Sequence, residues 1–99
     1  MLRLRFFPAA IADLVDTRAY VADHRPASAG PLVDRLIDRV RLLANHPDAG
    51  ERLPRLGPGV RRLTEAPYVI LYRTTAEEVQ LLRILHAARR ITRAAPPPG

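Results

Sequence analysis

Tyr68-Val69-Ile70-Leu71-Tyr72-Arg73 and, after a turn at 74–78, Val79-Gln80-Leu81-Leu82-Arg83-Ile84-Leu85-His86 decide the fold. The first run is rich in β-branched and aromatic residues, as a strand requires. The second is apolar on nearly both faces, which places it in the middle of a sheet. Tyr68, Ile70 and Tyr72 share one face by alternation, and that face is expected to pack beneath helices. Upstream, Val60 to Thr64 reads as a third strand, with Glu65-Ala66-Pro67 as its turn. Residues 47–59 carry Pro47, Gly50, Pro54, Gly57, Pro58 and Gly59 and are expected to be loop, with no regular element.

The N-terminal half reads differently. Leu2, Leu4 and Phe6 alternate with Arg3 and Arg5, the period of a half-buried strand. Pro8 then suits the first turn of a helix, with Ile11, Leu14, Val15 and Ala22 as its expected apolar stripe. That helix is expected to fade near His24, before Arg25-Pro26. A second helix is marked by Leu32, Val33, Leu36, Ile37, Val40, Leu43 and Ala44 at helical spacing. Placing Pro31 in its first turn puts the start between Ala27 and Gly30, and His46-Pro47 marks the stop. The order β-α-α-β-β-β predicts an α+β fold, a helical hairpin packed on a mostly antiparallel sheet.

Composition narrows the function. The chain has 99 residues, 47% of them apolar, enough for one domain and too few for two. Its sixteen cations are all Arg, against ten acids, for a net charge of +6. Residues 1–49 hold seven Arg and six acids, residues 50–99 nine Arg and four acids, so the basic character belongs to the C-terminal half. Such a surface suits an anionic partner. The absence of Cys excludes disulfide scaffolds, thiolate nucleophiles and Cys-ligated zinc. No cofactor, metal or membrane association is expected. Although Met1 to Phe7 mimics a basic leader segment, its apolar run is short and interrupted by Pro8. A cytoplasmic protein is expected.

The landmarks together resemble the ParE (plasmid stabilisation) branch of the RelE/ParE superfamily of type II toxins. They are Pro8-Ala9-Ala10 with Asp13-Leu14, Pro26-Ala27, Val33-Asp34-Arg35-Leu36, Pro47 with Gly50, Val60-Arg61, Tyr68 to Arg73, and Leu82 to Arg89. The resemblance covers residues 3–91 and implies a single toxin domain over 1–91, followed by a flexible Pro-rich tail over 92–99. Two departures stand out. Phe7 replaces the usual capping Ser or Thr, a loss of about 1 kcal/mol, and Arg90 replaces an Asp.

The resemblance implies one of two activities. ParE-like members act on DNA gyrase by binding, whereas RelE-like members cut mRNA on the ribosome. RNA cleavage by 2′-OH attack needs a proton acceptor, a proton donor and cations around the phosphate. The nuclease pattern has an Arg where Val69 stands, Lys or Arg on the middle strands, a further Arg at the end of the last strand and often a C-terminal Tyr or His. Arg89 matches the last-strand Arg, and Arg61 or Arg62 offers a second cation. This chain has no Lys and offers neither Tyr nor His after residue 90. Arg is a poor proton donor, and His86 is the one residue near the tail of a type used for acid–base work. A binding toxin is therefore expected, with an mRNA endoribonuclease as the alternative. Candidate target contacts are Arg61, Arg62, Arg83, His86, Arg89 and Arg90. A toxin of this kind implies a cognate antitoxin, acidic and in a hetero-oligomeric complex, through which alone operator DNA is reached. Candidate antitoxin contacts are Leu14, Arg18, Val33, Ile37, Arg41, Tyr72 and Arg73. Glu77 and Glu78 are expected as partners for Arg73 and Arg83.

Overall fold

The computed structural model describes residues 1–87. Strand β1 (Arg3–Phe6) leads into helices α1 (Pro8–His24) and α2 (Pro26–Leu42), and then come β2 (Glu51–Arg52), β3 (Arg61–Glu65), β4 (Tyr68–Thr74) and β5 (Glu78–His86). The strands form one sheet in the order β1-β5-β4-β3-β2. β1 runs parallel to β5, and the other pairings are antiparallel. The apolar β5 therefore lies inside the sheet, as its composition requires.

The helical hairpin covers one face. Leu32, Leu36, Val40 and Leu43 meet Leu63, Tyr68, Ile70, Tyr72, Val79, Leu81 and Ile84 in the main core. Both tyrosines lie beneath the helices, as expected. A single residue, Arg25, joins α1 to α2. Phe7 is the N-cap of α1 and makes no side-chain capping bond. Its ring is instead buried with Val60 and Leu82 on the opposite face of the sheet, so core packing occupies the position where other sequences place a cap.

Three expectations are corrected. The 47–59 segment contains β2 and a 3₁₀ turn at Pro54–Leu56. It is regular because the back face of the sheet needs a cover: Leu53 packs on Leu71 and Leu85, with Leu56 beside them. Second, α2 begins at Pro26, with Pro31 inside it. Pro26 takes the first helical position, and the carbonyl that Pro31 leaves without a donor belongs to solvent-exposed Ala27. Third, α1 is rotated relative to its expected stripe. Ala10 is buried and Leu14 and Val21 pack on the core, whereas Ile11 and Val15 are 50% and 62% exposed.

A register slip between Leu71 and Tyr72 leaves Leu82 without a partner on β4. Val79 and Leu81 face the helices before this bulge, and Ile84 does so after it.

Candidate partner-binding surfaces

β1 stops opposite Leu81, so among the described residues the outer edge of β5 beyond that point has no neighbouring strand. Asp13, on the second turn of α1, takes its place. The Asp13 carboxylate accepts Arg83 Nε at 2.8 Å and Nη2 at 3.0 Å, and also the Ile84 N–H at 2.9 Å. Both side chains are largely buried, at 24% and 12% exposure. The hydrogen bonds to Asp13 raise the guanidinium pKa against the opposing cost of burial. Arg83 is thus bound to α1 and not to Glu77 or Glu78.

Next to this clamp, the hairpin tip and the end of the sheet enclose a groove of about 1270 Å³. Tyr20, His24, Arg25 and Arg35 line one side, Tyr68, Arg83 and His86 the other. Tyr20 stacks on His24 at 4.6 Å, and His24 Nδ1 bonds to the Tyr20 carbonyl at 2.9 Å. His86 meets Tyr68 edge-on at 5.2 Å. Arg39 and Arg35 reach Glu65 at 3.3 and 3.8 Å.

The far edge of the sheet holds a second polar cluster. Tyr72, fully buried, donates its hydroxyl to the Pro47 carbonyl and accepts the Gly50 N–H, both at 2.8 Å. Burial raises the phenol pKa. Tyr72 is therefore a core anchor for the 47–50 segment, which corrects its assignment as a contact for a partner. Arg61 donates to the Gly50 carbonyl at 2.8 Å and pairs with Asp48 at 3.4 Å. Arg62, on the other face, pairs with Glu51.

On the back of the sheet, Arg5, Gln80 and Arg73 stand in one row across β1, β5 and β4. Arg73 Nε donates to Gln80, whose amide donates to Glu78, both at 2.8 Å. Arg5 reaches the same carboxylate at 3.4 Å, and these bonds, with Gln80 foremost, lower the Glu78 pKa. The Arg5 and Arg73 guanidiniums lie 5.1 and 6.0 Å from the Phe7 ring, within cation–π range. Arg73 thus pairs with Gln80, while Glu77 and Glu78 take Arg3 and Arg5.

The remaining candidates lie on the hairpin. Arg18 and Arg41 are exposed, Arg41 being 3.7 Å from Asp38. Val33 and Ile37 are half-buried, as is Leu14. Arg89 and Arg90, and the tail over 92–99, lie outside the described residues. Among the described residues no cluster of His, Asp and Glu is placed to hold a metal, and no helix is long and apolar enough to cross a membrane.

Residues 4–91 match the family model described as the ParE toxin of the parDE type II toxin-antitoxin system. The chain belongs to the ParE toxin family. It is thus the toxin type of a type II toxin-antitoxin system. Among solved structures it is similar to the chromosomal ParDE toxin-antitoxin system of P. aeruginosa. That likeness has a TM-score of 0.77 and 28% identity, over 87% of this chain and 96% of that one. The toxin-antitoxin complex RelBE2 of Mycobacterium tuberculosis shares the fold, with a TM-score of 0.67 and 22% identity over 86% of this chain and 96% of that one. No curated protein matches the sequence.

Several surface residues of this ParE chain escaped the sequence reading. Ile11 and Val15 were expected in the core and are instead a solvent-facing apolar strip. Arg52 and Arg55 form no ion pair among the described residues and flank the far edge. Arg3 and Arg5 line the near edge. Their alternation with Leu4 was a visible signal of an edge strand, since charged residues commonly guard such edges.

Proposed function

We propose that this ParE toxin inhibits DNA gyrase by stoichiometric binding and that a cognate acidic antitoxin neutralises it. The ParE family match over residues 4–91 carries this reading. The chemistry agrees with binding in preference to mRNA cleavage. Val69, at the position of the nuclease arginine, is buried. No lysine is present to assist a proton transfer. Exposed Arg18 and Arg41, with half-buried Leu14, Val33 and Ile37, give the hairpin an apolar, basic surface for an acidic antitoxin segment. Arg61, Arg62 and His86, and beyond the described residues Arg89 and Arg90, are the proposed target contacts.

The deciding experiment induces the chain alone and assays gyrase supercoiling and cell-free translation side by side. Loss of supercoiling with intact translation is expected. The reverse outcome assigns the chain to mRNA cleavage. The free toxin is expected to associate or precipitate and the antitoxin complex to stay monodisperse, which light scattering reads directly.

A further inference from the structure

The groove between the hairpin tip and the end of the sheet is not lined as a mere seam between packed layers. Such a seam is filled by aliphatic side chains in contact. Here planar rings stand on both walls. Tyr20 and His24 are stacked with their planes 25° apart on the hairpin side, and Tyr20 is 49% exposed. On the sheet side Tyr68 and His86 meet at 79°.

The polar groups along the groove differ in how firmly they are held. Asp13 fixes Arg83 through two hydrogen bonds. Arg25 forms no ion pair among the described residues, and Arg35 comes no nearer than 3.8 Å to Glu65. The partner of His24 Nδ1 is the Tyr20 carbonyl, which can only accept. Nδ1 therefore carries a hydrogen, and Nε2 is the ring atom left for a further contact. Thr17 and Ser28 add hydroxyls to the lining, and Asp16 adds a carboxylate.

These groups match the parts of a nucleotide. A planar base stacks on aromatic faces. A phosphate takes charge-assisted hydrogen bonds from guanidiniums, and the sugar hydroxyls and base edge need small donors and acceptors. The groove holds about 1270 Å³, against roughly 300–1,000 Å³ for a small-molecule cleft, so a mononucleotide enters with room beyond it. An acidic peptide fits less well. It satisfies Arg25 and Arg35, but it brings its carboxylates to Asp16 and offers the rings no flat partner.

We propose that this groove is a nucleotide site, taking a nucleoside monophosphate. The base stacks on Tyr20 and His24, and Arg25 and Arg35 are the cations for the phosphate. A free nucleotide and the phosphorylated end of a nucleic-acid strand present the same chemistry. The site is independent of the gyrase reading, since it needs neither target nor antitoxin.

The test uses the full chain in D₂O, at a concentration where light scattering finds a single species. Its three imidazole Cε1–H signals report separately: His24 and His86 line the groove, and His46 lies outside it as an internal reference. AMP is expected to shift His24 and His86 saturably and to leave His46 in place. Adenosine and inorganic phosphate, each carrying half of the chemistry, are expected to bind about tenfold more weakly or worse. Arg25→Gln/Arg35→Gln is expected to weaken AMP about tenfold without changing adenosine. Arg52→Gln/Arg55→Gln removes the same charge at the far edge and is expected to change neither. A 5′-phosphorylated DNA decamer that binds more tightly than AMP assigns the site to a strand end; one that binds no more tightly assigns it to the free nucleotide. Unmoved His24 and His86, an equal shift of His46, phosphate alone binding as tightly as AMP, or an equal response to a Glu-rich peptide overturns the proposal.

Discussion

The two ends of β5 are tied to the N-terminal part of the chain by the same pair of chemistries, guanidinium and carboxylate, with opposite consequences. At one end Arg3 and Arg5 reach Glu77 and Glu78 at 3.4 Å, with both guanidiniums mostly in solvent. At the other, Arg83 and Asp13 meet at 2.8 and 3.0 Å with little exposure, and the carboxylate also serves a backbone N–H. Exposed pairs are worth about 0–1 kcal/mol. Removing one partner of a largely desolvated, multiply bonded pair costs several times more, because the charge left behind stays unpaired. The same two residue types are therefore a fastening at one end of the strand and a solvated decoration at the other.

Asp13→Ala is the sharpest way to break this contrast. It strands both the Arg83 guanidinium and the Ile84 N–H, and a loss of about 2–4 kcal/mol is expected in urea denaturation. A loss no larger than that of Arg3→Ala would mean that burial does not separate the two ends. Tyr72→Phe asks whether a neutral buried anchor behaves like the charged one. It leaves the Gly50 N–H and Pro47 carbonyl without their partner at nearly constant volume, for about 1–3 kcal/mol. Gly50→Ala attacks the same anchor sterically, since its Cβ would lie 2.6 Å from the Tyr72 hydroxyl and 2.8 Å from the Arg62 carbonyl.

Titration separates the anchors further. The folded-state pKa of Tyr72 is raised, so its contribution is complete below the ordinary phenol value of about 10 and is lost as pH rises through the folded value. A Tyr72→Phe variant is expected to lack this component of the alkaline fall in stability. At the exposed end the signs reverse. Glu78 has a lowered pKa, so its contribution is present above the ordinary carboxylate range and fades as pH falls through the folded value. Arg5→Ala is expected to cost within about 0.5 kcal/mol at neutral pH and to shrink that acid limb.

What could be read from the chain follows the same division between local and distant causes. The two apolar strands, the bracketing prolines and the stripe on α2 are local patterns, and the fold order came from them. Which side of α1 is buried did not, because Ala10 and Ile11 differ only in where the sheet lies beneath them. β2 was hidden in Pro- and Gly-rich sequence, where its two residues carry no periodicity. The Asp13–Arg83 clamp joins residues seventy positions apart, and no short motif encodes it. Glu77 and Glu78 were nearer in sequence to Arg83, but β1, arriving parallel beside β5, claims them first. The candidate surface was legible as a basic composition and illegible as geometry, since ion pairs decide which arginines remain available.

The unpaired Leu82 has a bearing on how this strand can vary over time. It acts as a one-residue shift in inside–outside parity: odd positions look toward the helices before it and even positions after it. A substitution at Leu82 disturbs only the back-face cluster with Phe7 and Val60. Deleting the residue would set Arg83 directly after Leu81, opposite Leu71 and Tyr72 as now, so the bulge would close with Ile84 still facing the main core. Lineages carrying this strand should therefore tolerate both exchange and a gap at that one position, so the residues that face the helices are inherited more strictly than the length of β5.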